Sequence, residues 1–318
     1  MSKTFIGIDV GGTTVKIGII DEIGNILDKW EIPTNTDNHG ESILSDIWNS
    51  VSNKLSLENV AGIGIGVPGF IDQETGDVYE AVNIGWKQVE LAKNLKEMSG
   101  VPVFVENDAN AAVLGENWKG AGGQVKNLIA VTVGTGIGGG IIANGSILNG
   151  VSGTAGEIGH ITMERDGSPC NCGRRGCLET ISSATGIVRQ AKEKIKENQN
   201  SMLAKFYAEQ GNITAKDIFQ LADSGDTLSK NIIEHAADVL GLAIANLTVT
   251  INPSRILIGG GVSKAGEDFV NLIDAAFNKY TLAKAGEVCE VKLAQLGNDA
   301  GIIGAAFLVK QRLEKVTF

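Results

Sequence analysis

Two stretches of this chain carry the same pattern. "TFIGIDVGGTTVKIGIIDEIGNILDKW" runs from Thr4 to Trp30, and "LIAVTVGTGIGGGIIANGSILNG" from Leu128 to Gly150. With Val10 set over Val133, Gly11 falls on Gly134, Ile19 on Ile142 and Asp21 on Asn144. Each copy is an apolar, β-branched run bent at glycines and closed by a polar turn, which reads as a strand hairpin. The first copy continues through Asp21 to Gly24 into a third strand. The pattern implies an internal duplication: two related domains, each presenting one glycine hairpin. A chain of 318 residues is long enough for two such cores.

The rest of the chain alternates strands and helices. "GESILSDIWNSVSNKL" has Ile43, Ile47, Val51 and Leu55 at helical spacing. "VAGIGIGVPGF" and "GVPVFVEND" read as buried strands, and "ANAAVLGENWKGA" as a helix. After the second hairpin, "TGIVRQAKEKIKE", "TAKDIFQLADSGD" and "SKNIIEHAADVLGLAIANLTVTI" read as helices. "RILIGGGVS" is a strand, a turn and the start of a helix, and "DAGIIGAAFLVKQRLE" a closing helix. The class is α/β.

The glycines also satisfy a commoner motif. Gly134, Gly136 and Gly139 fit G-x-G-x-x-G, as do Gly64, Gly66 and Gly69. A dinucleotide site needs a helix directly after the turn, its N-terminus against pyrophosphate. Here "TTVKIGII" and "GGGIIANG" continue as strands, and Pro68 interrupts the third copy. No G-x-x-x-x-G-K-[ST] is present, so the P-loop reading fails as well. What remains is a pair of bends whose bare N–H groups form anion nests, with threonine hydroxyls as further donors. A single such bend is an ordinary tight hairpin; the pair points to phosphate binding.

Composition narrows the partners. A net charge of −10 argues against nucleic acid, which needs a basic face. The N-terminus enters a strand at once, unlike a signal peptide. "VLGLAIANLTVTI" reads as too short and too interrupted by Asn246 and threonines to cross a bilayer. Four cysteines in this length make no disulfide scaffold, so a reduced cytoplasmic protein is expected.

Several polar residues sit where chemistry is expected. Asp108 ends the strand "VPVFVEND" and opens a helix. It suits an N-cap, and equally a carboxylate that takes the proton of an attacking hydroxyl in phosphoryl transfer. Asp9 precedes the first bend, and a carboxylate beside phosphates calls for Mg²⁺ between them. Lys16 is either a further positive charge there or a solvated strand lysine. Asn83, Asn107, Glu157, His160 and Glu179 are polar residues in apolar or glycine-rich surroundings, a set suited to a polyhydroxylated ligand. "IGGGVS" (Ile258 to Ser263) is a plain turn or a bare backbone against which adenine lies flat.

"IDVGGTTVKIGI", "VPGFID", "ENDANAA", "VTVGTGIGGGII", "GEIGH" and "CNCGRRGCLE" occur in the order found in the ROK family of bacterial sugar kinases. Over essentially its whole length the chain resembles that family, and within it the ATP-dependent glucokinases of Gram-positive bacteria. The resemblance implies an actin-like, hexokinase-type duplicated fold with an active-site cleft. It places the smaller domain in residues 1–118 plus 301–318 and the larger, with its zinc loop, in 119–300.

By the same resemblance Gly11, Gly12, Thr13, Thr14 and Gly134, Thr135, Gly136 hold the phosphates of ATP. Asp108 is the general base for the 6-hydroxyl of glucose, with Asp9 and Lys16 nearby. Gly69, Asn83, Asn107, Asp108, Glu157, His160 and Glu179 contact the sugar, and Gly260 and Gly261 lie near adenine. A homodimer is implied, with neither nucleic acid nor membrane as partner. His160, Cys170, Cys172 and Cys177 supply one imidazole and three thiolates. Their spacing alone leaves structural Zn²⁺ and unpaired thiols open, and the resemblance favours zinc. Cys289, in the alternating "GEVCEVKLAQ", reads as a core thiol. The expected reaction is ATP-dependent formation of glucose 6-phosphate. Alternatives are N-acetylmannosamine, N-acetylglucosamine or fructose as the sugar, or, remotely, a sugar-responsive regulator. Such regulators carry a helix-turn-helix ahead of the sugar-binding part, for which the residues before Thr4 leave no room.

Overall fold

This computed structural model of the protein describes residues 3–261 and 267–315. The opening is three antiparallel strands, β1 (Thr4–Val10), β2 (Thr14–Asp21) and β3 (Ile26–Pro33), with Val10 opposite Val15 across the first bend. In α1 (Ile43–Lys54), Ile43, Ile47 and Val51 are buried together; Leu55 is already extended and caps the helix. β4 (Val60–Val67) runs parallel to β1. A small separate sheet follows, β5 (Phe70–Ile71), β6 (Val78–Ala81) and β7 (Trp86–Val89), then α2 (Leu91–Ser99). β8 (Val103–Asn107), parallel to β4, leads straight into α3 (Asp108–Lys119).

The second copy begins with β9 (Leu128–Val133), β10 (Ile137–Ala143) and β11 (Ser146–Ile147). Then come α4 (Glu179–Ser182), α5 (Ala184–Ile195), α6 (Met202–Gln210), α7 (Ala215–Asp223) and α8 (Thr227–Ile251). β12 (Arg255–Gly259), α9 (Glu267–Tyr280), α10 (Ala283–Gly286), β13 (Glu290–Leu293) and α11 (Ala300–Glu314) complete the chain.

The duplication is visible in the sheets. The first has order β3-β2-β1-β4-β8 and the second β11-β10-β9-β12-β13, the same sequence of positions. In both, the two strands after the hairpin copy are parallel to its first strand or to each other. A backbone hydrogen bond closes each bend: Gly11 N–H donates to the Thr14 carbonyl three residues on at 3.0 Å, and Gly134 N–H to the Gly136 carbonyl two residues on at 2.9 Å.

One reading changes. The apolar "VLGLAIANLTVTI" is only part of α8, whose 25 residues are long and apolar enough to cross a membrane by length and composition. Ile232, Ala236, Leu240, Ile244 and Thr248 recur at helical spacing and are all buried, so α8 is a packed core helix. Asn246, read as an interruption, is compatible with the helix because it lies outside that buried stripe. The helix expected after "IGGGVS" concerns Val262 and Ser263, which lie outside the described residues.

The chain forms two compact units, Met1–Lys126 with Gly140–Ala155 and Gln295–Phe318, and Asn127–Gly139 with Gly156–Ala294. The division differs from 1–118 plus 301–318 chiefly at Gly140–Ala155, which returns to the first unit after the second bend. In the first unit α11 packs on α3 and on β1 and β4. The approach is close enough that a Cβ at Gly304 would collide with the Ala111 carbonyl of α3. The core on the other side contains Ile6, Ile8, Ile17, Ile47, Ile63 and Ile65.

Candidate active site

In the first unit, β1 and β8 are both parallel to β4, so their carboxyl ends share one sheet edge. That edge is where open α/β sheets bind ligands, and it holds Asp9, the Gly11–Thr14 bend, Asn107 and Asp108. Burial raises the pKa of Asp9 from 3.8 to about 6; the Asp108 charge adds to this and Lys16 opposes it. Asp108 is also raised, by burial, against a hydrogen bond from the Ala109 N–H. The structure therefore brings Asp9, Asp108 and Lys16 into one electrostatic group. Lys16 faces Asp9 in the ladder and donates to the Asn298 carbonyl at 3.4 Å.

Asn107 is the cap of α3. Its Oδ1 accepts from the N–H groups of Ala109 (3.0 Å) and Asn110 (3.3 Å). Its Nδ2 donates to the Gly69 carbonyl at 3.2 Å, joining two of the residues expected at the sugar. The N-cap role expected of Asp108 thus falls to Asn107, one residue earlier. Asn83 is exposed, and its carbonyl lies 3.7 Å from where a Cβ on Gly12 would stand.

The second unit gathers the other half of the list. His160, Cys170, Cys172 and Cys177 have donor atoms within 4.8 Å of one another. The Cys172 and Cys177 sulfurs are 3.6 Å apart, and Cys170 Sγ is 3.6 Å from His160 Nδ1. A tetrahedral zinc with Zn–S bonds of ~2.3 Å needs a sulfur–sulfur edge of about 3.8 Å, so these residues fit the ion. Without a cation the three thiols are unevenly matched. Burial, then the Glu179 carboxylate, pushes Cys170 up to about 12, while the Arg174 N–H draws Cys172 down to about 6. Cys289 is buried away from this set, next to β13, as expected of a core thiol.

Glu179 links the metal set to its surroundings. Its Oε1 accepts from Cys170 at 2.9 Å and lies 3.7 Å from His160 Nδ1. A Cβ on Gly136 would stand 2.8 Å from its Oε2, so the tip of the second bend abuts this carboxylate. Glu157 is 4.0 Å from His160 Nε2 and largely exposed. Gly260 packs on the backbone of Val133 at the root of the same bend, and Gly261 is exposed beside it.

Two features were not read from the sequence. Thr135, Thr185, Val188, Lys192 and Ile213 line a largely apolar recess of about 640 Å³, and the Thr185 hydroxyl donates to the Thr135 carbonyl at 2.7 Å. Lining residues from α5 and from the turn before α7 left no local signal. The second is a buried polar network around Glu106, next to Asn107; its glutamate was visible in "VEND" but its partners were not.

Residues 5–312 match the ROK family. A glucokinase of Halalkalibacterium halodurans is 50% identical over 98% of this chain and 96% of its own. The glucokinase of Thermotoga maritima is 39% identical, covering 97% and 98%. Among solved structures, a ROK family glucokinase from Streptomyces griseus in complex with glucose and AMPPNP superposes with a TM-score of 0.75. It is 36% identical, over 97% of this chain and 99% of that one.

Proposed function

This chain belongs to the ROK family, and from that premise we propose that it transfers the γ-phosphoryl group of ATP to the 6-hydroxyl of glucose. The observation that carries the reading is the pair of half-buried carboxylates, Asp9 and Asp108, on the ligand-binding edge of the first sheet, where the charge of Asp108 acts on Asp9. Two such groups side by side suit different tasks. Asp108, fixed by the capped start of α3, accepts the proton of the attacking hydroxyl as the new O–P bond forms and ADP leaves. Asp9, beside the Gly11–Thr14 bend, is the residue that holds Mg²⁺. When bound with nucleotide, Mg²⁺ neutralises phosphate charge.

In the first unit Gly11 to Thr14 offer N–H and hydroxyl donors to phosphate oxygens, and Lys16 adds charge. Asn107, Gly69 and Asn83 are its sugar-side groups. In the second unit Gly134, Thr135 and Gly136 form the other phosphate bend, and Gly260 and Gly261 the adenine side. Glu157, His160 and Glu179 present acceptors and a ring nitrogen to sugar hydroxyls. His160, Cys170, Cys172 and Cys177 hold a structural Zn²⁺, its four positions filled by protein. The reading extends to a cytoplasmic homodimer, as the family resemblance implies, and the four unbridged cysteines suit a reducing compartment.

A coupled ADP-release assay over glucose, fructose, mannose and the N-acetylated hexosamines tests the proposal. Glucose should give the highest kcat/KM, and Asp108→Asn should lower kcat by at least on the order of 100-fold. Preference for an N-acetylhexosamine or fructose moves the substrate assignment, and ATP use that no sugar stimulates removes the kinase. Near-normal turnover in Asp108→Asn removes Asp108 as base.

A further inference from the structure

Glu106 is 1% exposed, and its carboxylate is enclosed by N–H donors. Oε1 accepts from the Asn107 backbone (2.9 Å), Asn110 Nδ2 (3.1 Å) and Gln73 Nε2 (3.2 Å). Oε2 accepts from Asn149 Nδ2 at 3.4 Å. Asn149 Oδ1 accepts in turn from Asn110 Nδ2 at 2.9 Å, closing a ring of side chains. All four partners of the carboxylate are neutral amides.

The arrangement is kept at a cost. Gln73 Oε1 is enclosed with no hydrogen-bond partner among protein atoms, and an acceptor left unpaired in the interior opposes folding. Turning the amide over would aim that oxygen at the carboxylate, so the donor must stay on Glu106 and the orphaned oxygen remains. A fold selected for stability alone has an easier solution, an apolar pair of the same shape.

The cage encloses the β8–α3 junction. It ties the turn after β5 (Gln73), the segment after β11 (Asn149) and the first turn of α3 (Asn110) to the peptide that precedes Asn107. Asn107 holds the next two N–H groups of α3, and Asp108 lies between these restraints. We propose that Glu106 is a positioning residue for Asp108: its caged carboxylate sets the direction in which the junction presents the catalytic carboxylate. The proposal rests on Asp108 being the base. A misplacement of ~1 Å costs on the order of 100-fold in rate, so a loose junction is expressed in turnover before it is expressed in folding.

The test exchanges donor and acceptor. Glu106→Gln sets an amide N–H against that of Asn149, and Asn149→Asp sets two carboxylates together. In E106Q/N149D the new amide donates to the new carboxylate, and Oε1 keeps its three donors. By coupled ADP release and thermal melting, each single variant should be folded and lose roughly 10- to 100-fold in kcat. Glucose KM should change far less. The double variant should recover most of the kcat. Wild-type kcat in E106Q, or kcat losses proportional to lost folded protein, overturns the role. So does a double variant that regains its melting temperature but not its kcat. If E106Q does not fold, Asn149→Ala carries the test, and an unchanged kcat in that folded variant overturns the proposal. Asp108→Asn reads the premise separately. Its loss of activity beside a normal E106Q sinks the positioning role alone, whereas its near-normal turnover sinks the base and this role together.

Discussion

Asp9 and Asp108 share the main cause of their raised pKa values, burial, and Asp9 also feels its neighbour's charge. An acid raised on folding makes the native state bind more protons than the unfolded chain between its two pKa values. For Asp9 that window runs from 3.8 to about 6. Stability is therefore lost as pH rises through it and regained as pH falls. Asp9→Asn should melt higher than the parent at pH 7 in EDTA, by at most about 2–3 kcal/mol in unfolding free energy. The difference should shrink by pH 4; a parent at least as stable at pH 7 means that another interaction offsets the burial. Asp108 has the same sign, so the acid limb of kcat/KM should lie above the ordinary carboxylate range. Asp108 stood out in the sequence because an apolar strand leads into it. Glu106 did not, because two of its four partners, the side chains of Gln73 and Asn149, come from distant segments, and no local pattern announces such contacts.

The cysteine loop shows an element whose partners are local enough to be read. His160 to Cys177 span a short stretch with little regular structure, bridged at Thr162–Cys177 and Pro169–Arg175. Such a loop buries too little apolar surface to hold its own shape, so a bound ion contributes directly to its folding. Purified protein should contain about one zinc per chain. Stripping it with a chelator should raise glucose KM and lower the melting temperature before kcat falls, since Glu179 and His160 stand at the loop's edge. Full activity and an unchanged melt in zinc-free protein would remove the metal. Other elements escaped the sequence reading for the opposite reason. β5 and β6 have two and four residues, too few to establish a period of two. α2 and α6, at nine residues each, were also passed over, although α7 of the same length was read.

Across the whole molecule, the glycine hairpins were the most informative feature because their spacing recurs. The equal strand orders of the two sheets show the duplication that this recurrence implied. A chain that binds glucose in its folded state should gain about 2.7 kcal/mol at 100 times the dissociation constant. Thermal melts should therefore rise with glucose and not with a sugar the enzyme ignores. Equal shifts for every hexose would speak against a selective sugar site. Backbone chemistry is written locally: bends at Gly11 and Gly134, the strand ending at Asp108 and the clustered thiols all follow from neighbours in the chain. So the sequence by itself determined the α/β class and the repeat, and it singled out the His160–Cys177 cluster and the carboxylates as candidates. Only the tertiary structure decided which unit Gly140–Ala155 joins, which residue caps α3, and that Glu106 sits in a cage of amides. Those outcomes depend on burial and on donors brought together from distant segments, and packing creates that information only when the chain has folded.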